Sequence, residues 1–115
     1  MHKDLDVWKL GIELVAQIYK ITSHFPATEK FGLTSQMQRA AVSIPSNIAE
    51  GAARNSEKEY IHFLYISLGS LAELETQLII SQKLGFLPDQ LIYEDIEKLR
   101  RKLLKFIKYF KDKKR

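Results

Sequence analysis

Apolar side chains recur at steps of three and four residues along most of the chain, and this periodicity constrains the fold more than any other feature. An α-helix turns once every 3.6 residues, so side chains spaced in this way line one helical face. The clearest stretch follows residue 56, where a near-heptad seam contains Ile61, Leu64, Leu68, Leu71 and Leu78. Such a seam predicts a long helix that buries one face against other helices.

Four segments carry this pattern, and glycine (5) and proline (3) are scarce, which favours helices over a turn-rich β fold. Short connections make consecutive helices antiparallel neighbours. A chain of 115 residues fits one domain with a single core. The sequence therefore predicts an all-α, antiparallel up-and-down four-helix bundle over residues 1–115. The predicted helices cover about residues 5–23, 34–53, 56–84 and 89–111.

Local signals mark the ends of these helices. Ser56 and Glu59 form a capping-box pattern, in which the hydroxyl and the carboxylate satisfy each other's backbone amides. Gly85 is a typical helix stop. Pro45 lies inside the second pattern and predicts a kink, because proline lacks an amide donor and collides with the preceding turn. The other candidate caps are Asp4 or Asp6 for the first helix and Thr34 or Ser35 for the second, and the fourth helix is predicted to start near Pro88-Asp89.

No catalytic constellation appears in the sequence. The absence of cysteine excludes disulfides, thiolate zinc sites and cysteine nucleophiles. His2, His24 and His62 share no metal-binding spacing, and no glycine-rich phosphate loop is present. We therefore expect a protein that is not an enzyme and that uses neither a cofactor nor a metal. We also expect a cytoplasmic protein, because no signal peptide and no membrane span can be recognised.

A polar stripe runs along the second helix, in steps of four, four, three and four residues: Arg39, Ser43, Asn47, Glu50 and Arg54. If the second and third helices pair antiparallel, two residues face each other when their residue numbers add up to about 109. Arg39 then lies opposite Ser70 and within reach of Glu73, and Gly69 would let the two backbones approach closely. The stripe has two interpretations. It is either an interhelical polar network that fixes the register of the bundle, or a site for a ligand or partner.

The C-terminal end is strongly basic. Residues 98–115 contain ten Lys or Arg and one acid, for a charge of +9, whereas residues 1–97 contain eight basic and thirteen acidic residues, for −5. This asymmetry indicates a polyanionic partner such as RNA or DNA, although a solvated face that aids solubility has the same composition. A membrane surface is disfavoured, because the core needs the interleaved apolar positions. The candidate nucleic-acid ligands are Lys98, Arg100, Arg101, Lys102, Lys105 and Lys108.

Three strings carry a resemblance to a known family. Residues 43–51 read Ser-Ile-Pro-Ser-Asn-Ile-Ala-Glu-Gly and are flanked by Arg39 and Arg54, so that Pro45, Glu50 and Gly51 belong to this motif. Residues 69–78, which include Ser70 and Glu73, and residues 5–10 form the other two. The chain resembles the bacterial four-helix-bundle proteins encoded in intervening sequences of 23S ribosomal RNA genes, over roughly residues 5–87. The basic end lies outside this match.

The resemblance implies an antiparallel four-helix bundle that assembles into a ring, typically a homopentamer, with no known enzymatic activity. A related branch, the accessory protein of diversity-generating retroelements, forms a basic pentameric barrel that associates with a reverse transcriptase and nucleic acid. We therefore predict a homo-oligomeric module that binds RNA or DNA through its basic C-terminal helix. The alternative is a scaffold that binds a protein partner and has no nucleic-acid ligand. Trp8, if exposed, would indicate a contact between subunits.

Overall fold

The computed structural model describes residues 2–87 and 92–113. These ranges contain four α-helices and no strand, as the periodicity predicted. The predicted start of the last helix near residue 89 lies outside the described residues. Two short 3₁₀ turns, His2–Asp4 and Ala27–Glu29, accompany the helices α1 (Asp6–Thr22), α2 (Leu33–Ala53), α3 (Glu57–Lys83) and α4 (Ile92–Lys113).

The helices run antiparallel in chain order around one core. Between α1 and α2, Gln38 Nε2 donates a hydrogen bond to Thr22 Oγ1 over 3.1 Å, which joins the end of one helix to the start of the next. Between α3 and α4, the Tyr93 hydroxyl donates to Gln82 Oε1 over 3.2 Å in the same manner. Helix α2 packs against α3, and α4 closes against α1. The result is an up-and-down bundle about 49 Å long, in which α2 and α4 occupy opposite corners.

The core lies between the apolar stripes of all four helices. Helix α3 contributes Leu64, Leu71, Leu74 and Leu78 to this core, and each of them is at most 1% exposed. Helix α3 is also long and apolar enough to cross a membrane by length and composition alone, a criterion that the central helix of a bundle can meet as well. Its leucines are engaged here with the neighbouring helices, which stabilises the bundle by the burial of apolar area.

The ends of α3 follow the predicted signals. Ser56 Oγ accepts a hydrogen bond from the Glu59 amide over 3.3 Å, which is the serine half of the capping box. At the other end Gly85 has a φ of +79°, a left-handed conformation that favours glycine. The amides of Phe86 and Gly85 donate to the carbonyls of Ser81 and Gln82 over 3.0 and 3.1 Å. These two bonds form a Schellman motif, which satisfies carbonyls of the last turn.

The starts of α1 and α2 differ from the predicted caps. Helix α2 begins at Leu33 and not after Thr34 or Ser35, because the Glu29 carboxylate reaches forward and accepts the Leu33 amide over 3.3 Å. Leu5 precedes α1 and provides no side-chain cap, and Asp6 is the first helical residue. An acidic residue in that place still interacts favourably with the helix dipole.

Pro45 lies inside α2, and the helix continues through it to Ala53. The proline is buried against α1, where a Cβ added to Gly11 would lie 3.3 Å from Pro45 Cβ. On the other side, Ser67 Oγ donates to the Ile44 carbonyl over 2.8 Å. Pro45 therefore marks a level at which α2 contacts both of its neighbours closely; the kink itself remains a prediction.

Candidate nucleic-acid interface

The buried face of α4 determines where its cations lie. Because the apolar residues of α4 point into the core at steps of three and four, the residues between them are directed to solvent or to the edges shared with α1 and α3. The buried residues are Ile92, Ile96, Leu99, Leu103, Ile107 and Phe110.

Four cations form one line on the outer face of α4: Lys98, Arg101, Lys105 and Lys108. They follow each other at steps of three, four and three residues, and all four are exposed. At 1.5 Å per residue the line is about 15 Å long. Across residues 2–87 and 92–113, none of the four has a carboxylate within ion-pair distance. We call these four residues the α4 stripe.

The other two predicted ligands are already engaged. Arg100 forms a bidentate pair with Glu97, in which Nε donates to Oε1 over 3.0 Å and Nη2 donates to Oε2. The hydrogen bond from Arg100 lowers the pKa of Glu97, so this carboxylate stays charged to lower pH than usual. Lys102 Nζ lies 3.8 Å from Asp6 Oδ2 of α1. The structure thus divides the six predicted residues into four open cations and two with acidic partners.

Two further cations of α4 contact α3, and neither was predicted as a nucleic-acid ligand. Lys111 Nζ donates to the Tyr65 hydroxyl over 2.6 Å and lies 5.0 Å from the centre of that ring. Lys113 Nζ lies 3.1 Å from Glu57 Oε2, and this hydrogen bond raises the pKa of Lys113. These contacts hold the end of α4 against the start of α3.

The N-terminal end of the α4 stripe, at Lys98, lies beside acidic side chains. Lys98 lines a pocket between α1 and α4 together with Glu13 and Asp95. These carboxylates reduce the positive potential at Lys98, whereas Lys105 and Lys108 lie farther along the helix from them. Asp112 follows Lys108 by one helical turn, so acidic side chains adjoin both ends of the α4 stripe.

The polar stripe of α2 forms an interhelical contact at its centre. Ser43 and Ser70 are joined by a 2.8 Å hydrogen bond between their hydroxyls. Asn47 Nδ2 donates to the Ser43 carbonyl over 2.8 Å and to the Ser43 hydroxyl over 2.9 Å. The register predicted from the sequence was wrong by one helical turn, because Ser43 and not Arg39 lies at the level of Ser70.

The outer members of the polar stripe do not join this contact. Arg39 and Glu73 are both exposed, and in the described part of the chain no ion pair links them; Glu73 instead accepts a hydrogen bond from Gln77 over 3.2 Å. At the other end, Arg54 pairs with Glu50 over 3.0 Å and with Glu59 over 3.6 Å. Arg54 thus links α2 to the first turn of α3.

The close approach of α2 and α3 occurs at Gly51 and not at Gly69. A Cβ added to Gly51 would lie 2.9 Å from Phe63 Cβ and 3.0 Å from Tyr60 Cδ1. A Cβ added to Gly69 would meet nothing within 4 Å. The predicted role of Gly69 was therefore wrong: this glycine lies on the exposed side of α3, and the family motif residue Gly51 is the one in the interface.

Candidate metal ligands do not gather anywhere in residues 2–87 and 92–113, where no group of three His, Asp or Glu side chains could hold an ion. The surface features of the described helices include the α4 stripe and an apolar groove between α1 and α2. This groove is lined by Trp8, Ile12, Val15, Val42, Pro45 and Ser46.

Comparison with known proteins gives the family of this four-helix chain. The model of the 23S rRNA-intervening sequence protein family matches residues 3–109. The chain belongs to this family. A similar solved structure is that of a protein of unknown function from the S23 ribosomal protein family of Bacteroides thetaiotaomicron. It has a TM-score of 0.80 and 24% sequence identity, and the match covers 94% of this chain and 99% of the other.

This structural likeness confirms the bundle fold. The matched range of the 23S rRNA-intervening sequence protein family extends through the α4 stripe, farther than the resemblance at residues 5–87. Neither the family nor the structural relative indicates an enzymatic class. No curated protein matches the chain.

Proposed function

We propose that this member of the 23S rRNA-intervening sequence protein family binds RNA or DNA through the α4 stripe. The observation that carries the proposal is the line of four exposed cations, none of which has a carboxylate within ion-pair distance among the described residues. Ion pairs engage Arg100, Lys102 and Lys113 on the same helix, and Lys111 contacts Tyr65. The four cations of the α4 stripe make no ion pair with the described part of the chain. They are free to neutralise phosphates and release counterions.

The dimensions of the α4 stripe agree with a phosphate backbone. One strand of a duplex has a phosphate every 3.4 Å along the axis, so about 15 Å of helix surface faces four to five phosphates. A helix fixes the backbone positions from which its cations extend, so binding does not have to order the backbone. The α4 stripe therefore supports a sequence-independent contact with the nucleic-acid backbone.

Binding should depend steeply on salt. If all four cations contact phosphates, the logarithm of the association constant falls against the logarithm of salt concentration with a slope of about −3.6 for a duplex. Fluorescence anisotropy with labelled RNA and DNA oligonucleotides, titrated at graded salt, measures this slope. Absence of binding to every oligonucleotide at low salt would refute the proposal and would favour the protein-interaction scaffold.

We further propose that the chain forms a homo-oligomer through the groove between α1 and α2, with five copies as the resemblance implies. Three large apolar side chains are exposed on this side of the molecule: Ile12 (43%), Val42 (40%) and Tyr19 (47%). Trp8 is half-buried beside them. A contiguous apolar surface of this kind is typical of a protein contact.

Ile12→Glu should disrupt this assembly, because it places a charge in the groove. Ile79→Glu is a matched control, since Ile79 is exposed to a similar degree (46%) but lies on α3, outside the groove. Light scattering should give about five times the 13.4 kDa chain mass for the wild type and for Ile79→Glu, and a smaller particle for Ile12→Glu. A monomeric wild type, or equal masses for both variants, would contradict assembly through the groove.

A further inference from the structure

A second groove lies beside the α4 stripe, between α4 and the start of α1. It is open to solvent, with a volume of about 430 Å³, within the range of small-ligand pockets. Leu5, Val7 and Phe106 supply its apolar lining, and Lys105 belongs both to the groove and to the α4 stripe. The groove is therefore continuous with the proposed path of the phosphate backbone.

An exposed aromatic ring lines the same groove. Tyr109 is 57% exposed, although its neighbour Phe110 is buried in the core. The Lys113 ammonium lies 5.8 Å from the centre of the Tyr109 ring. Lys102 also lines the groove, with Lys105 one turn before Tyr109 on the helix. Lys113 is paired with Glu57 and Lys102 with Asp6, so Lys105 is the groove cation that is left for a phosphate. An exposed aromatic ring beside such a cation is the combination by which proteins bind single-stranded nucleic acids.

We propose that this groove accepts an unpaired nucleobase stacked on Tyr109, while the adjoining phosphates contact Lys105 and the rest of the α4 stripe. The inference rests on the proposed nucleic-acid binding and specifies its ligand as a single strand. A base inside a duplex is already stacked on both faces and cannot reach Tyr109 without being flipped out. Duplexes would therefore use the α4 stripe alone.

One acidic side chain in the groove works against an anionic ligand. Asp6 is 76% exposed at its side chain and lies 3.8 Å from Lys102. Its charge partly cancels that of Lys102 and repels a nearby phosphate. Asp6→Asn removes this charge without changing the size of the side chain, so it should raise the affinity for a single strand. One additional phosphate contact corresponds to an increase of about two- to five-fold at 0.1 M salt.

The test compares single-stranded oligouridylate with a blunt-ended RNA duplex formed from two complementary strands, each labelled and titrated with wild type, Tyr109→Ala, Tyr109→Phe and Asp6→Asn. We expect the wild type to prefer the single strand. Loss of one stacked base in Tyr109→Ala should weaken single-strand binding roughly five- to 100-fold and leave duplex binding unchanged. Tyr109→Phe keeps the ring and should bind as the wild type does. Thermal melting by circular dichroism checks that each variant is folded.

The possible failures are distinguishable. Unchanged single-strand affinity in Tyr109→Ala, with salt-dependent binding intact, would overturn the stacking groove and leave the proposed function in place. Equal affinities of the wild type for both forms would do the same. Lack of binding to either form at low salt would overturn both proposals. A loss in Tyr109→Phe equal to that in Tyr109→Ala would assign the effect to the hydroxyl and contradict stacking.

Discussion

Replacement of the α4 stripe by glutamine is expected to weaken nucleic-acid binding by a factor on the order of 10² to 10³ at 0.1 M salt. Each cation that contacts a phosphate releases close to one counterion, and four such contacts are lost together. The slope of affinity against salt should fall towards zero in the same titration. The bundle should remain intact, because the four side chains are exposed and glutamine is a good helix former.

A control variant that loses the same number of positive charges outside α4 distinguishes the effect of their position on affinity from the effect of net charge. Lys9, Lys20, Lys30 and Lys83 are exposed lysines outside α4. Their replacement by glutamine also removes four positive charges from a chain of net charge +4. We expect this control to retain most of the wild-type affinity and slope. Equal losses in the two variants would show a diffuse electrostatic attraction and would contradict a defined interface on α4.

Gly51→Ala is expected to destabilise the bundle by about 1–3 kcal/mol, the usual cost of overpacking a tight interface. The added methyl group would lie 2.9 Å from Phe63 Cβ and 3.3 Å from the Tyr60 carbonyl oxygen. These atoms cannot move away without a shift of α3 itself, because one is fixed to the backbone and the other belongs to it. Thermal or urea denaturation should show a lower free energy of unfolding, with a Tm lower by roughly 4 °C per kcal/mol.

Gly69→Ala makes the same chemical change, but we expect it to raise the free energy of unfolding. Gly69 lies within α3, is exposed, and has no atom within 4 Å of an added Cβ. The variant should therefore be more stable by up to about 1 kcal/mol, from the higher helix propensity of alanine. If Gly51→Ala also stabilised the protein, the close approach of α2 and α3 at this level would be refuted.

The helices themselves could be predicted because their signals are local. The apolar periodicity of α3 is contained within one segment, and Ser56 and Gly85 act on the turns beside them. The start of α2 was predicted to within one residue, but its cap was not, because the Glu29 carboxylate accepts the Leu33 amide from four residues upstream, an arrangement that is absent from the standard capping patterns. Local chemistry thus predicts elements well and unusual connections poorly.

The contacts between helices could not be predicted in the same way. One helical turn separates the predicted partner of Ser70, Arg39, from the observed partner, Ser43, because the length of the connecting turn fixes the register only loosely. Gly51 and Gly69 each interrupt a helical pattern, and only the packing of α2 on α3 distinguishes them. The sequence alone does not show which of the two glycines lies in the interface.

The candidate interface was predicted in outline and not in detail. The basic composition of α4 pointed to the correct helix, but the Asp6 partner of Lys102 is ninety-six positions away in the chain. Tyr109 was not singled out, although it lies one turn beyond Lys105 on a mostly polar face. An aromatic residue on this polar face of α4 is the sequence feature from which the groove could have been predicted.

The opposite corners taken by α2 and α4 have a consequence for an assembled particle. A second copy seated between α1 and α2 contacts the far side of the bundle and does not cover the outer face of α4. Where the surface by which that copy enters the groove also excludes α4, every subunit added would bring one more cationic helix within reach of the same strand. Weak single contacts would then combine by avidity, and a long polymer would be held far more tightly than a short fragment.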